Sequence, residues 1–397
     1  MSIENADRLQ ELIAQAKEIL IGNDLGKFTI PSGQLYPHMW AWDSAFAAMG
    51  WAHINMQRAQ DEIEFLMSTA WENGMIPHIT FDQEHLKDYF PGPDVWGHAK
   101  GSTISQPPVW AQAMEYLLET GADEAWAKSM LPAIEKSHLF FKNHRDPQNK
   151  NLLAIAHPWE SGMDNCVAWD EPMEAISTDI RNELNRVDTK KVEDTSQRPS
   201  DKEYYRYLKI VEELQDHNFE SRIFQTYDPM MSTILCLNEY ALSRLQERFG
   251  VDHIEAKKRA DNIKTALMAL KNDDGYFKYY DAVANKELSI KSLGALFPYL
   301  LTEDCPSDLL KAHRKEFGLS TQNSQDEFFD PKCYWRGPCW INTNWFFSKI
   351  DKELENDIYQ LIEKSGFREY YHPETGEGLG AHKFSWSAAL FLVTFNR

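Results

Sequence analysis

The sequence contains few basic residues for its length and no long apolar run. Lysine and arginine number 41 against 61 aspartate and glutamate residues, which gives a net charge of -20 at pH 7. This negative charge argues against a polyanionic partner such as nucleic acid and against an anionic membrane surface. No apolar stretch approaches the roughly 20 residues that a membrane-spanning helix needs. We therefore expect a protein that binds neither nucleic acid nor membranes.

Cysteine is also scarce, and its spacing does not predict a disulfide framework. An odd number of cysteines without short paired spacings suits reduced thiols in a cytoplasm. Cys333 and Cys339 have no second Cys or His pair beside them, so a zinc site is not expected. Residues 1–7 show no basic region ahead of an apolar stretch, which argues against a secretory signal and for a cytoplasmic protein. The five cysteines are Cys166, Cys236, Cys305, Cys333 and Cys339.

Strand-like alternation is rare, whereas apolar residues recur at helical spacing along most of the chain. About a dozen helices with alternating short and long links predict an all-α toroid of helix pairs, with the site at the end that carries the long loops. The first helix should end near Gly22, and Pro132 should break a later one. The predicted helices include 44–52, a helix between Pro107 and Gly121, 125–141, 230–245, 254–270, 291–301, 307–317, 340–349, 353–364 and 386–395.

Residues 171–222 differ from the rest because charged and amide side chains dominate there and apolar positions are few. We interpret this segment as a partly helical insertion or lid within a single catalytic domain that spans residues 1–397. A solvated, charge-rich face explains the composition equally well.

The run from His157 to Asn165 combines two carboxylates, an indole and an imidazole with Pro158 and Gly162. Proline and glycine disfavour a regular helix or strand here, so the run should form a loop, where catalytic groups often lie. We hypothesise that Asp164 is a catalytic acid and that its partner lies near Glu369.

Four loop segments mix indole or phenol rings with fixed polar groups, which is the combination that a sugar ring needs for stacking and hydrogen bonding. Asp43, at the start of a predicted helix, could equally be only its N-cap. Trp40, Trp42, Trp159, Trp335 and Trp340 fall in polar loops rather than at core spacing, which favours carbohydrate binding. The segments are 36–43, 88–108, 159–164 and 334–340, the last followed by 369–377.

Cleavage of a glycosidic bond requires a neutral acid on one side of the anomeric carbon and an ionised carboxylate on the other. Carboxyl groups roughly 6.5–9.5 Å apart leave room for a water molecule and invert the anomeric configuration. Burial beside Trp159 and Met163 would raise the pKa of Asp164 and keep it protonated, whereas Glu369 could stay charged. Taken singly, each carboxylate could be no more than a helix cap or a surface charge.

Four ordered motifs resemble those of glycoside hydrolase family 63, chiefly its bacterial mannosylglycerate and glucosylglycerate hydrolases, with a distant similarity to trehalases. They span nearly the whole chain. The motifs are Trp40-Ala41-Trp42-Asp43-Ser44, Glu160-Ser161-Gly162-Met163-Asp164, Tyr334-Trp335-Arg336-Gly337-Pro338-Cys339-Trp340, and the segment from Glu369-Tyr370-Tyr371-His372-Pro373-Glu374-Thr375-Gly376 to Phe384-Ser385-Trp386-Ser387-Ala388-Ala389.

The resemblance implies an (α/α)6 barrel and an inverting α-glycosidase without a metal or organic cofactor. Its substrate would be a small α-glucoside or α-mannoside such as glucosylglycerate or mannosylglycerate. It makes Asp164 the general acid and Glu369 the general base, with Glu377 as the rival base. Arg222 and Arg336 are candidates to pair with a glycerate carboxylate. The expected substrate-binding residues are Tyr36, Trp40, Trp42, Asp43, Tyr89, Gln106, Trp159, Tyr334, Trp335, Arg336, Trp340 and Glu377.

Two other functions are compatible with the same residues. A sugar epimerase or lyase on this toroid would use histidine or tyrosine bases, for which His157, His372 and His382 are available. A non-catalytic sugar-binding protein would keep the tryptophans without needing Asp164 and Glu369 in one pocket. The sequence leaves open whether the chain acts alone or as a homo-oligomer.

Overall fold

Helices dominate the fold, which a computed structural model describes for residues 3–192 and 194–396. In that part of the chain no helix has the length and apolar character required to span a membrane. Four 3-10 helices cover Pro158–Ser161, Val167–Trp169, Thr195–Gln197 and Leu293–Leu301. The α-helices are α1 Ile3–Gly22, α2 Ala41–Trp51, α3 Met56–Ser68, α4 Pro93–Trp96, α5 Trp110–Glu119, α6 Glu124–His144, α7 Asp170–Glu174, α8 Asp188–Lys191, α9 Asp201–Asp216, α10 Pro229–Arg248, α11 Ile254–Met268, α12 Ser307–His313, α13 Ile341–Phe347, α14 Glu353–Ser365 and α15 Ser385–Phe395.

Short strands form four small antiparallel sheets that join the loops. β1 pairs with β2, β7 with β8 and β9 with β10, while β3, β4, β5 and β6 form a sheet in that order. The strands are β1 Met39–Trp40, β2 Ile79–Thr80, β3 Ala154–Ile155, β4 Thr226–Tyr227, β5 Tyr279–Asp281, β6 Lys286–Leu288, β7 Arg314–Lys315, β8 Gly318–Leu319, β9 Arg368–Tyr371 and β10 Gly378–His382.

Six helical segments contact one another in a closed series. Helix α2 packs on α15 and α5, α5 packs on α10, α10 packs on the 3-10 helix Leu293–Leu301, and α13 packs on α15. Ring contacts of Phe297 with Phe346 and Phe347, at centroid distances of 5.6 and 5.3 Å, close the series. Five of the six have an outer neighbour, because α1, α3, α6, α11 and α14 pack on α15, α2, α5, α10 and α13.

The inner position of α2 and α15 follows from their composition. Every residue of α2 is buried, as are residues 385–394 of α15, and a helix that is apolar on all sides must be surrounded by protein. A glycine lets the two helices approach closely, because a Cβ at Gly50 would lie 2.7 Å from the Cα of Ala389.

Several local predictions were wrong, for identifiable reasons. Pro132 does not break its helix, since α6 runs continuously from Glu124 to His144 and packs on α5 and α10. The helix predicted for 307–317 ends at His313, where β7 begins. Glu369 lies in β9 of a hairpin rather than in a loop. In place of the helix predicted for 291–301, Leu293–Leu301 form a 3-10 helix that contains Pro298.

The segment 171–222 is partly helical and is not merely a solvated face. A capping box between Ser200 and Glu203 starts helix α9. Its inner face buries Tyr207, Leu208 and Val211, and the helix packs against α4. The long loops that precede α2, α5, α13 and α15 contribute residues to one cavity, which also receives side chains from this segment.

Candidate active site

Most of the predicted site residues line a narrow cavity of about 60 Å³. Twelve of the fourteen line it, including both proposed catalytic carboxyls. The lining consists of Pro31, Tyr36, Trp40, Trp42, Asp43, His78, Tyr89, Gln106, Trp159, Gly162, Asp164, Arg198, Tyr204, Tyr334, Trp335, Trp340, Glu369, Phe384 and Trp386.

Two predicted substrate residues do not line the cavity. Arg336 pairs with Asp170 at 2.9 Å, so its guanidinium is directed to the start of α7. Glu377 is exposed just before β10 and therefore does not face Asp164 as a rival to Glu369. Arg222, considered as a partner for a glycerate carboxylate, is exposed outside the cavity as well.

The loop that carries Asp164 is held on several sides. The Ser161 hydroxyl donates to the Pro158 carbonyl at 2.6 Å and accepts the Met163 N–H at 2.9 Å. The Tyr207 hydroxyl donates to the Asp164 carbonyl at 2.9 Å. Gly162 has φ of +72°, and a Cβ there would lie 2.7 Å from the ring of Trp42. Glycine at this position thus lets the loop lie against the indole and fixes the place of Asp164.

Burial raises the pKa of the Asp164 carboxyl from 3.8 to about 7. The nearby Arg198 guanidinium opposes this rise, while the negative charge of Glu369 adds to it. The side chain is half-buried because it faces the cavity, but the surrounding protein separates it from bulk solvent. A carboxyl with this pKa is protonated below neutral pH and can donate a proton.

Glu369 is buried in β9, and its carboxyl oxygens accept several hydrogen bonds. The Tyr36 and Tyr334 hydroxyls donate to its Oε1 at 2.6 and 3.1 Å. The Ala381 N–H donates to its Oε2 at 2.9 Å, and Arg198 Nη1 lies 3.5 Å from Oε1. Asp164 and Glu369 therefore differ, since burial raises the pKa of the first and hydrogen-bond donors surround the second.

Asp43 is the third carboxyl in the cavity, and it is not the cap of its helix. Helix α2 begins at Ala41 with Trp40 in the N-cap position, so Asp43 lies within the first turn. Its Oδ1 is buried without a hydrogen-bond partner among the described residues. Burial raises its pKa well above the ordinary value, and a backbone hydrogen bond lowers it only in part.

Indole rings form the walls of the cavity. Trp335 and Trp340 stack at a centroid distance of 3.7 Å with an interplanar angle of 6°. Trp42 packs beside them, 6.4 Å from Trp335 and perpendicular to Trp386 at 5.2 Å. Such rings provide apolar planes for the CH face of a sugar, as the loop tryptophans had indicated.

The three histidines named for an epimerase or lyase do not line the cavity. His157 Nδ1 accepts the Trp159 N–H at 3.0 Å and Nε2 lies 3.1 Å from the Tyr207 carbonyl. Burial lowers its pKa to about 3. His372 accepts backbone N–H groups of its own loop, and His382 pairs with Arg368 at 2.7 Å.

Sequence reasoning missed several cavity residues, of which Arg198 is the most consequential. Arg198 and Tyr204 belong to the charged segment 171–222, where one arginine among many charges gives no signal of its own. His78, with Nδ1 2.5 Å from the Ser102 hydroxyl, also lay outside the motifs. Phe384 and Trp386 belonged to a family motif but were not assigned to the site.

Comparisons with known proteins identify the family of this chain. The model of the mannosylglycerate hydrolase MGH1-like glycoside hydrolase domain matches residues 36–387. A mannosylglycerate hydrolase of Thermus thermophilus is 35% identical over 412 residues, covering 95% of this chain and 99% of that protein. Glucosylglycerate hydrolase of Mycolicibacterium hassiacum is 32% identical, and the alignment covers 97% of each chain.

A solved structure of a family member has the same fold. The crystal structure of a GH63 mannosylglycerate hydrolase from Thermus thermophilus, in complex with Tris and D-glycerate, matches with a TM-score of 0.91 and 34% identity. The match covers 97% of this chain and 100% of that one. The family model spans most of the chain, and the relatives align with it nearly from end to end. This chain therefore belongs to the MGH1-like group of glycoside hydrolase family 63 and is a glycoside hydrolase, for which the inverting mechanism fits the family.

Proposed function

We propose that the chain hydrolyses the α-glycosidic bond of mannosylglycerate or glucosylglycerate, with Asp164 as general acid and Glu369 as general base. The observation that carries this proposal is that the two carboxyls line one indole-walled cavity in different electrostatic settings. The relatives named above act on these two glycerates, and one solved relative holds D-glycerate.

In the acid step, Asp164 transfers its proton to the glycosidic oxygen as the bond to the anomeric carbon breaks. The glycosidic oxygen of the glycerate part then leaves as a neutral hydroxyl group rather than as an alkoxide. The pKa of about 7 suits this role, because the carboxyl is protonated at neutral or lower pH yet gives up its proton readily.

In the base step, Glu369 removes a proton from a water molecule while the water oxygen attacks the anomeric carbon from the opposite face. The new C–O bond forms as the old one breaks, so an α-glycoside yields a β-anomer. Tyr36 and Tyr334 orient the Glu369 carboxylate by hydrogen bonds, and the Arg198 guanidinium lies 3.5 Å from its Oε1.

The carboxylate of a glycerate substrate needs a cationic partner. Arg198 is the one lysine or arginine among the described residues that line the cavity. We assign it this role in place of Arg222 and Arg336, with the Tyr89 and Tyr204 hydroxyls as further donors from the cavity wall.

The finer architecture belongs to the same proposal. The closed series of six inner segments with outer neighbours supports an (α/α)6 barrel, formed by residues 1–397 as a single domain. Residues 171–222 supply Arg198 and Tyr204 to the cavity, which supports a lid role for this segment. Five free thiols suit a cytoplasmic protein.

The experiment uses the full chain with mannosylglycerate, glucosylglycerate, the corresponding α-glycosyl glycerols and α-linked disaccharides. Proton NMR of the first product should show the β-anomer, and kcat should fall by orders of magnitude in both D164N and E369Q. An initial α-anomer would contradict the inverting mechanism. Isomerised sugar without hydrolysis would support an epimerase, and sugar binding that both variants retain, without turnover by the wild type, would support a binding protein.

A further inference from the structure

A chain of ion pairs connects the charged segment to Glu369. The Asp188 carboxylate accepts hydrogen bonds from Arg186 at 2.6 and 3.1 Å and from Arg198 Nε at 3.3 Å. The far end of Arg198 reaches Glu369 Oε1 at 3.5 Å and the Tyr36 hydroxyl at 3.0 Å. Asp188 therefore contacts the guanidinium on the side opposite to the catalytic carboxylate.

Both arginines lie over tyrosine rings of the cavity wall. The Arg186 guanidinium carbon is 4.0 Å from the centre of the Tyr204 ring, and that of Arg198 is 4.2 Å from the Tyr334 ring. Cation–π contacts of this kind are strongest when the groups are removed from water. Arg186 and Arg198 expose only 6% and 5% of their side chains. A carboxylate placed between them compensates two buried positive charges at once.

We propose that Asp188 is a positioning residue that holds Arg198 against Glu369 and Tyr334, an inference that rests on the proposed role of Glu369 as the base. Asp188 does not line the cavity, so it acts through Arg198. Without this anchor, the long arginine side chain gains rotameric freedom and contacts Glu369 for only part of the time.

The pH dependence separates positioning from a general charge effect. A guanidinium fixed near a carboxylate lowers its pKa, so loss of the fixed contact moves the acidic limb of the activity profile to higher pH. If Arg198 stayed in place, removal of the Asp188 charge would instead make the site more positive and move that limb to lower pH. The titratable groups that face Arg198 are Asp188, Glu369, Asp164, Tyr36, Tyr89, Tyr204, Tyr334 and Tyr370.

The test compares D188N with the matched control D201N. Asp201 also pairs with Arg186, at 3.1 Å, but it is exposed at the start of α9. D188N should lower kcat about tenfold and move the acidic limb upward, whereas D201N should stay within about twofold of the wild type. In an R198K background, D188N should cost less than about twofold, because coupled residues show non-additive effects. D188E keeps a carboxylate and should retain the wild-type limb.

A ¹³C NMR titration measures the pKa of the Glu369 carboxyl without substrate. Its resonance is identified as the one that disappears in E369Q. A higher pKa of Glu369 in D188N supports positioning even if neither glycerate is hydrolysed, an outcome that would refute only the proposed function. Unchanged kcat in D188N, a limb that moves to lower pH, or a full tenfold effect of D188N on top of R198K would each overturn the inference. If D188N unfolds, the test rests on D188E. An acidic limb in D188E that differs from that of the wild type would also overturn the inference.

Discussion

Glu160 and Asp164 lie four residues apart in one loop and occupy contrasting environments. Glu160 is 1% exposed and accepts hydrogen bonds from Arg145 at 2.8 and 3.0 Å and from the N–H groups of Ser105 and Ala156. Asp164 faces the cavity with no such set of donors, and burial raises its pKa to about 7. The buried charge of Glu160 is thus compensated by Arg145 and two N–H groups, whereas the carboxyl of Asp164 lacks such a set of donors and has a raised pKa.

Asp228 shows that a raised pKa alone does not identify a catalytic group. It caps α10 by accepting the Met230 N–H at 2.8 Å, while its Oδ2 has no partner among the described residues. Burial raises its pKa to about 7, as for Asp164. Asp228 does not line the cavity, however, so its proton has no substrate to reach. A route to the cavity distinguishes Asp164 from Asp228.

The largest expected effect comes from D164N, which removes the proposed proton donor but preserves the size of the side chain. We expect kcat to fall by roughly 10³-fold, within the range typical of general acid catalysis. The free energy of unfolding should not fall, because the buried ionisable carboxyl has been replaced. In the wild type, activity should decline about tenfold per pH unit above about pH 7, as Asp164 loses its proton. Steady-state kinetics of the wild type and of D164N across pH measure the fall in kcat and the alkaline decline. Wild-type activity that does not decline above about pH 7 would refute the assignment of Asp164 as the acid.

Substitution of Glu160 should have the reverse effect, because it should lower stability strongly and kcat only weakly. E160Q leaves Arg145, which is 3% exposed, without its counterion, and loss of one partner from a buried pair costs about 3–5 kcal/mol of unfolding free energy. The protein that stays folded should retain most of its kcat. Urea unfolding measures the loss, and the double variant R145M/E160Q should recover part of it. A stable but inactive E160Q would make Glu160 a catalytic residue and remove the contrast.

The smallest effect is expected from D228N, and it depends on pH. The folded-state pKa of about 7 lies above the ordinary 3.8, so between pH 4 and pH 7 the unfolded chain loses a proton that the folded chain keeps. Stability of the wild type relative to D228N therefore falls over this window and is constant above it. The limiting difference is about 4 kcal/mol, of which we expect about 1–2 kcal/mol after local relaxation. Urea unfolding of both proteins at pH 4 and pH 8 tests this.

The motifs predicted much of the site because each lies in a short, continuous segment. Trp42, Asp164 and Glu369 all line the cavity as expected. Arg198 could not be identified in this way, because its role depends on the approach of residues 171–222 to β9 and to Tyr36. Glu377 was a plausible rival to Glu369 by composition, but the β9–β10 hairpin leaves it exposed.

By itself, the sequence determined the helical character of the chain, the loops rich in tryptophan and the pair of candidate carboxyls, because these depend on local periodicity and on residue chemistry. Only the tertiary structure decided which carboxyl has its pKa raised by burial, which is surrounded by hydrogen-bond donors and which arginine lies near both. Those properties arise from burial and from contacts between segments as distant as Tyr36, Asp164, Arg198 and Glu369. Desolvation and Coulomb energies depend on three-dimensional distance, and separation along the chain does not encode that distance.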